Sequence, residues 1–230
     1  MTTARPPLRE RKKRRTREAL IDTALELFTS KGFAHTTLDE LCDTVDVSKR
    51  TFFRNFVSKE DVAMAPTQDL WTAFLGELRV REPTGEPLLA LLRDILLAAV
   101  DAMPDGWASR VVLSRKLAQT TPSMNAHGLD FCDRTTRAAL EILRDRVDLA
   151  DDLRPRLALD IGVAAFHVAL ERWVSGAGEP SHAALSAALR NAFEAVPTSL
   201  TLIATPRVSN THDPRVQQNG PVSSTNPSRG

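Results

Sequence analysis

The chain has no tyrosine, and its 3 Trp and 9 Phe bring aromatics to only 5% of 230 residues. Glycine is scarce as well, at 10. Strands favour aromatic and β-branched side chains, so this composition argues against a β architecture. The two cysteines, Cys42 and Cys132, are too few and too far apart for a disulfide framework or a metal site, and read as small apolar thiols in a reducing compartment. No apolar run approaches the roughly 18 to 20 residues that span a bilayer. The basic N-terminus leads into Glu18, Asp22 and Glu26 rather than an apolar stretch, unlike a secretory signal. These absences set the expectation of a soluble, cytoplasmic protein with no membrane partner.

What is present favours helices. Hydrophobic residues make up 42% of the chain, enough for a substantial core, and Ala, Leu, Arg and acidic residues dominate its middle. The net charge of +1 conceals a gradient: residues 1–60 hold 13 Lys/Arg against 9 Asp/Glu, and the remainder 17 against 20. A neutral protein with a basic front end suits a local polyanion footprint.

Apolar positions at spacings of three and four (Leu20, Ala24, Leu27, Phe28) predict a first helix from about Arg14 to Lys31, ended by Gly32. Thr37-Leu-Asp-Glu40 is a capping box for a second helix with Leu38, Leu41, Cys42 and Val45 on its buried face. Asp46-Val47 forms the turn, and Ser48 caps a third helix, Lys49 to about Asn55. Ser58 opens a fourth, which Pro66 is expected to kink or divide. Beyond the break at Pro83–Pro87, Pro, Gly and Asp punctuation predicts five more helices, the last ending near Val196. The expected organisation is a basic arm (1–13), a DNA-binding domain (14–60), a helical regulatory domain (61–196) and a polar, largely disordered tail (197–230).

Phe52 and Phe56, four apart, anchor the third helix inward, which turns Ser48, Lys49, Arg50, Thr51, Phe53, Arg54 and Asn55 toward DNA or solvent. Arg and Lys match guanine O6/N7, and Asn matches adenine N6/N7, in the major groove. A solvated cationic face is the plainer alternative, but a capped helix and a short turn precede this one. Arg9 to Arg17 places seven cations in nine positions. Arg14 and Arg15 in this run suit phosphates or an adjacent minor groove.

Residues 14–61 resemble the DNA-binding domain of the TetR family of transcriptional regulators. Gly32-Phe33, Thr36-Thr37, Val47-Ser48, Thr51-Phe52-Phe53, Phe56 and Ser58-Lys59-Glu60 carry the resemblance. Arg50-Thr-Phe-Phe-Arg54 is similar to an actinobacterial-type branch. The resemblance implies an all-α homodimer with a three-helix DNA-binding domain and a larger C-terminal ligand-binding and dimerisation domain. It further implies a repressor released from a palindromic operator by a small-molecule inducer, with Thr37, Lys49, Thr51, Phe53 and Lys59 on DNA and Lys59 at a phosphate. Two positions depart from the family pattern: Asp46 stands where Gly is usual, and Phe53 where Tyr is common, so no phenolic hydroxyl can reach a phosphate there. An activator, or a regulator that needs no effector, fits the same residues.

In the C-terminal region, Trp71, Phe74, Trp107 and Phe131 are candidate apolar walls of a ligand pocket, with Arg115, His167 and Glu171 as polar partners. Packed aromatics and a satisfied histidine are the plainer alternative. Leu157, Ile161 and Ala165 on one helix and Leu185, Leu189 and Phe193 on the last are expected at a four-helix dimer seam, unless they only complete the monomer core. There is no P-loop, dinucleotide turn, HExxH or nucleophile motif, and His35, His127, His167, His182 and His212 have no metal-like spacing. No cofactor, metal or enzymatic activity is expected.

Overall fold

Hydroxyl side chains start four of the helices. Thr37, Ser48, Ser58 and Ser181 each accept a backbone N–H from the residue three positions on, satisfying donors that a helix start leaves free. The computed structural model describes residues 7–149 and 152–204, and these are all-α. The helices are α1 (Leu8–Ser30), α2 (Leu38–Thr44), α3 (Lys49–Phe53), α4 (Lys59–Val80), α5 (Leu88–Asp101), α6 (Trp107–Thr120), α7 (Pro122–Arg146), α8 (Arg154–Val174) and α9 (His182–Ser199). Residues 1–6 of the expected arm and 205–230 of the expected tail lie outside the described residues.

Four local expectations are corrected. The first helix starts at Leu8, not near Arg14, with Pro7 at its N-cap and Glu10 in its first turn. Lys and Arg are good helix formers, and water solvates their charges on an exposed helix. Helix α4 runs unbroken past Pro66. Proline removes the donor for the carbonyl four residues back, and α6 supports α4 there: Ser114 Oγ donates to the Ala63 carbonyl at 2.6 Å and Trp107 Nε1 to the Pro66 carbonyl at 2.7 Å. Helix α9 continues past Pro197 to Ser199, because in a last turn the proline forfeits a single bond. The capping box is half realised: Thr37 Oγ1 accepts from Glu40 N at 3.1 Å, but the Glu40 carboxylate turns to Lys31.

Burial divides into two clusters that meet along α4. Leu20, Leu25, Phe28, Leu41 and Phe52 form the core of the α1–α3 head, which Met64, Ala118 and Met124 extend into α4, α6 and α7. The larger cluster joins α4 to α9 around Trp71, Ile95, Phe166 and Leu185. Two bidentate ion pairs bridge the units. Arg17 holds Asp69 of α4 at 2.7 and 2.8 Å, and Arg110 of α6 holds Asp22 of α1 at 2.6 and 2.9 Å. The head is thus tied to two helices of the larger body, α4 and α6.

Candidate functional site

The α2–α3 turn is set by backbone chemistry. Asp46 adopts φ 55°, the left-handed conformation that the family's usual glycine enters freely and Asp enters more readily than most residues. Phe52 is fully buried and Phe56 nearly so, with ring centroids 5.8 Å apart, fixing the inner side of α3. The outer side presents Lys49, Arg50, Phe53 and Arg54, with Thr51 half-buried. Phe53 is 53% exposed, a large apolar ring held in water.

Several of these side chains are already engaged. Lys49 Nζ meets Asp39 of α2 at 2.6 Å, and this hydrogen bond raises the proton affinity of its ammonium. Ser48 Oγ accepts from Thr51 N at 3.2 Å and lies 3.1 Å from Thr51 Oγ1. Asn55 Nδ2 donates back to the Thr51 carbonyl at 2.7 Å, so a base contact by Asn55 would require breaking that bond. Thr37 is exposed but committed to its cap. Arg50 and Arg54 extend freely from the surface.

Lys59 departs furthest from its expected role. Its ammonium donates to the Phe33 and Thr36 carbonyls, each at 2.7 Å, and sits 4.6 Å from the centroid of the Phe33 ring. Two of its three donors thus bind the α1–α2 turn, which leaves one for a phosphate. The described part of the basic run is helical: Arg14 pairs with Glu18 at 3.6 Å and Arg15 is exposed. Arg9, Lys12, Lys13 and Thr16 share an open cleft with Arg54 at the end of α3. Sequence reading assigned Arg9, Lys12 and Lys13 to an arm preceding the helix; the backbone brings them beside α3.

Between α4 and α6–α8 lies a cavity of about 90 Å³ lined by Trp71, Phe131, Arg115 and His167. A smaller cavity of about 20 Å³ shares Trp71 and Cys132 with it and adds Phe74. Glu171 is exposed beside the first, its carboxylate 3.9 Å from Arg115. Partial desolvation, and then the neighbouring Arg115, lower the proton affinity of His167 below that of an ordinary histidine. Burial pushes the Cys132 thiol up, keeping it protonated. Trp107 must be removed from the candidate pocket walls, because it is 2% exposed and seals the α4–α6 joint with its indole N–H. Sequence reading missed Thr67, Gln68 and Asn125, which supply polar wall. Their types carry no signal until the helices converge.

The outer face of α8 and α9 carries an open groove of about 700 Å³, lined by Ile161, Ala165, Val168, Ala184 and Ala188 among others. Leu157 is exposed on the same side of α8. Leu185, Leu189 and Phe193 are instead buried inside the chain, at 0%, 0% and 6% exposure, so they cannot supply a seam. The stripe read from α9 was its inward one. Ala188 and Ala192, read in the same stripe, line the groove instead, together with Ala184 and Ala187, and a face of alanines gives little contrast in a hydrophobicity pattern.

Comparison with known proteins agrees with this architecture. Residues 20–65 match the family described as bacterial regulatory proteins, tetR family. The chain is 36% identical over 198 residues to the HTH-type transcriptional regulator TcmR of Streptomyces glaucescens, covering 83% of this chain and 87% of that one. It is 29% identical over 90 residues to the HTH-type transcriptional regulator AcrR of Shigella flexneri, covering 38% of this chain and 41% of that one. Among solved structures, FadR of Thermus thermophilus, a TetR-family repressor in complex with lauroyl-CoA, aligns with a TM-score of 0.47 at 21% identity, covering 83% of this chain and 98% of that chain. With a helix-turn-helix head, an all-α body and extensive similarity to a named regulator, the chain belongs to the TetR family of DNA-binding transcriptional regulators.

Proposed function

We propose that this regulator is a cytoplasmic homodimeric repressor, released from a palindromic operator by a small-molecule inducer. Residues 14–60 read DNA through Arg50, Thr51, Phe53 and Arg54, with Lys49 joining once it leaves Asp39. Residues 61–196 bind inducer and dimerise through the outer groove of α8 and α9, where half-buried Ile161 and exposed Val168 share one helical face with exposed Leu157 beside them. Two reading heads then approach successive major grooves, about 34 to 36 Å or a multiple of that apart.

The observation that carries inducer control is the double membership of α4. Its Gln68 lines the larger cavity and lies 3.1 Å from His127 Nε2, while His127 faces Asp61 at 3.5 Å. Asp61 Oδ2 accepts the Val57 N–H at 2.8 Å, in the turn that follows α3. A ligand that moves Gln68 or Trp71 therefore acts on the helix that carries the head, shifting the population of head spacings. Selection of genomic fragments by the purified protein, at stated salt, tests this reading. An enriched palindrome upholds a dimeric reader, and the absence of any enriched sequence overturns it. An operator that overlaps a promoter separates repressor from activator.

A further inference from the structure

We infer that the larger cavity is a carboxylate-binding site: Arg115 receives the carboxylate of a ligand whose apolar body lies against Trp71, Phe131 and Phe166. This rests on the inducer-binding reading above and gives it a ligand class. Arg115 has five N–H donors in a planar fork. Its side chain is only 22% exposed, yet among the described residues it makes no hydrogen bond, and its nearest carboxylate oxygen, on Glu171, stands 3.9 Å away. A guanidinium held mostly out of water, with its carboxylate partner beyond hydrogen-bond distance, keeps its donors available to a ligand. Thr67 of the same wall also has a buried hydroxyl without a partner among the described residues. Thr67 of α4 and Arg115 of α6 line the same cavity, with Gln68, Asn125 and His167 around it.

Charge and size select the ligand. Glu171 is 65% exposed and partly offsets Arg115, while His167, itself exposed, takes up a proton less readily than an ordinary histidine through partial desolvation and the Arg115 charge. Among the described residues, Arg115 is the one Lys or Arg lining this cavity, and its Glu171 partner is exposed and beyond hydrogen-bond distance. A single ligand carboxylate can therefore replace Glu171, whereas a phosphate dianion brings excess negative charge. A planar carboxylate matches the guanidinium fork through two parallel bonds, which a phenol or amide cannot do. The two cavities, about 90 and 20 Å³, are small enough to exclude a nucleotide without large expansion. The adjoining apolar wall, with Phe74 and Leu96 in the smaller cavity, accommodates a flat or aliphatic body.

Calorimetric titration of the full chain with benzoate and hexanoate, each against its neutral primary amide, tests the assignment. The expected result is at least tenfold tighter binding of the acids. Arg115→Gln abolishes that preference while leaving amide binding in place, and Arg115→Lys retains part of it. Equal affinity for acid and amide, an acid preference that survives Arg115→Gln in a protein with unchanged helicity, or no binding of any probe overturns the inference. The same ligands added to an operator complex separate the two readings. Acid binding at Arg115 without DNA release leaves the carboxylate site standing and removes its role as the inducer site.

Discussion

Individual side chains divide into those that shape the head and those left free for DNA. Phe52 is fully buried in a small core, so Phe52→Ala should cost about 3–5 kcal/mol, visible as loss of the head's cooperative unfolding in denaturant. Arg50 is exposed with no structural duty, so Arg50→Ala should weaken operator binding by about 1–3 kcal/mol with no change in melting temperature. Lys59 discriminates between roles. If it positions the turn through the Phe33 and Thr36 carbonyls, Lys59→Met lowers thermal stability and leaves the salt dependence of DNA binding intact. Were it a phosphate contact, the salt slope would fall by about 1, and the positioning role would be refuted. The residue pattern allowed either role, since the long side chain's direction is set by where the α1–α2 carbonyls lie.

Helices show how neighbours override local rules. Pro66 and Pro197 read as breaks, yet both lie inside helices. At Pro66 the tertiary donors Ser114 and Trp107 hold adjoining carbonyls. Ser114→Ala should therefore destabilise the α4–α6 joint by about 1–3 kcal/mol, the cost of a lost buried hydrogen bond, measurable by denaturant titration. The extension of α1 has its own consequence. Arg9, Lys12 and Lys13 project from a helix whose cleft includes Arg54, so removal of residues 1–13 should lower the salt slope of operator binding. An unchanged slope would show that these cations never reach phosphate. Caps, in contrast, were legible from local residues: Ser48 and Ser58 sit at helix starts because a hydroxyl accepting an N–H three residues on is a short-range event.

At the scale of the whole molecule, assembly and acidity test the proposed regulator. Val168 is 52% exposed in the α8–α9 groove. Val168→Glu should leave a folded monomer by sedimentation and abolish tight operator binding, because one head alone lacks the second half-site. A dimer that persists would move the seam elsewhere. His167 binds a proton less tightly in the folded chain than an ordinary histidine does, through partial desolvation and Arg115, with Glu171 opposing. The unfolded chain then takes up the proton first. The stability due to neutral His167 is complete above about pH 6.5, the ordinary histidine value, and is lost as the pH falls below it. His167→Gln should flatten the decline of melting temperature in that acid range.

The sequence by itself determined the helical class, the head's caps and turn, the left-handed Asp46, and the inward faces of α1 to α3. All of these rest on interactions within a few residues of chain or on a strong apolar period. Only the tertiary structure decided which face of α9 is buried, that Trp107 seals a joint rather than lining a cavity, that Lys59 binds carbonyls, and that Arg115 and Thr67 line one cavity. Each of those depends on groups brought together from distant parts of the chain, where residue type states what a side chain can do and packing states what it meets.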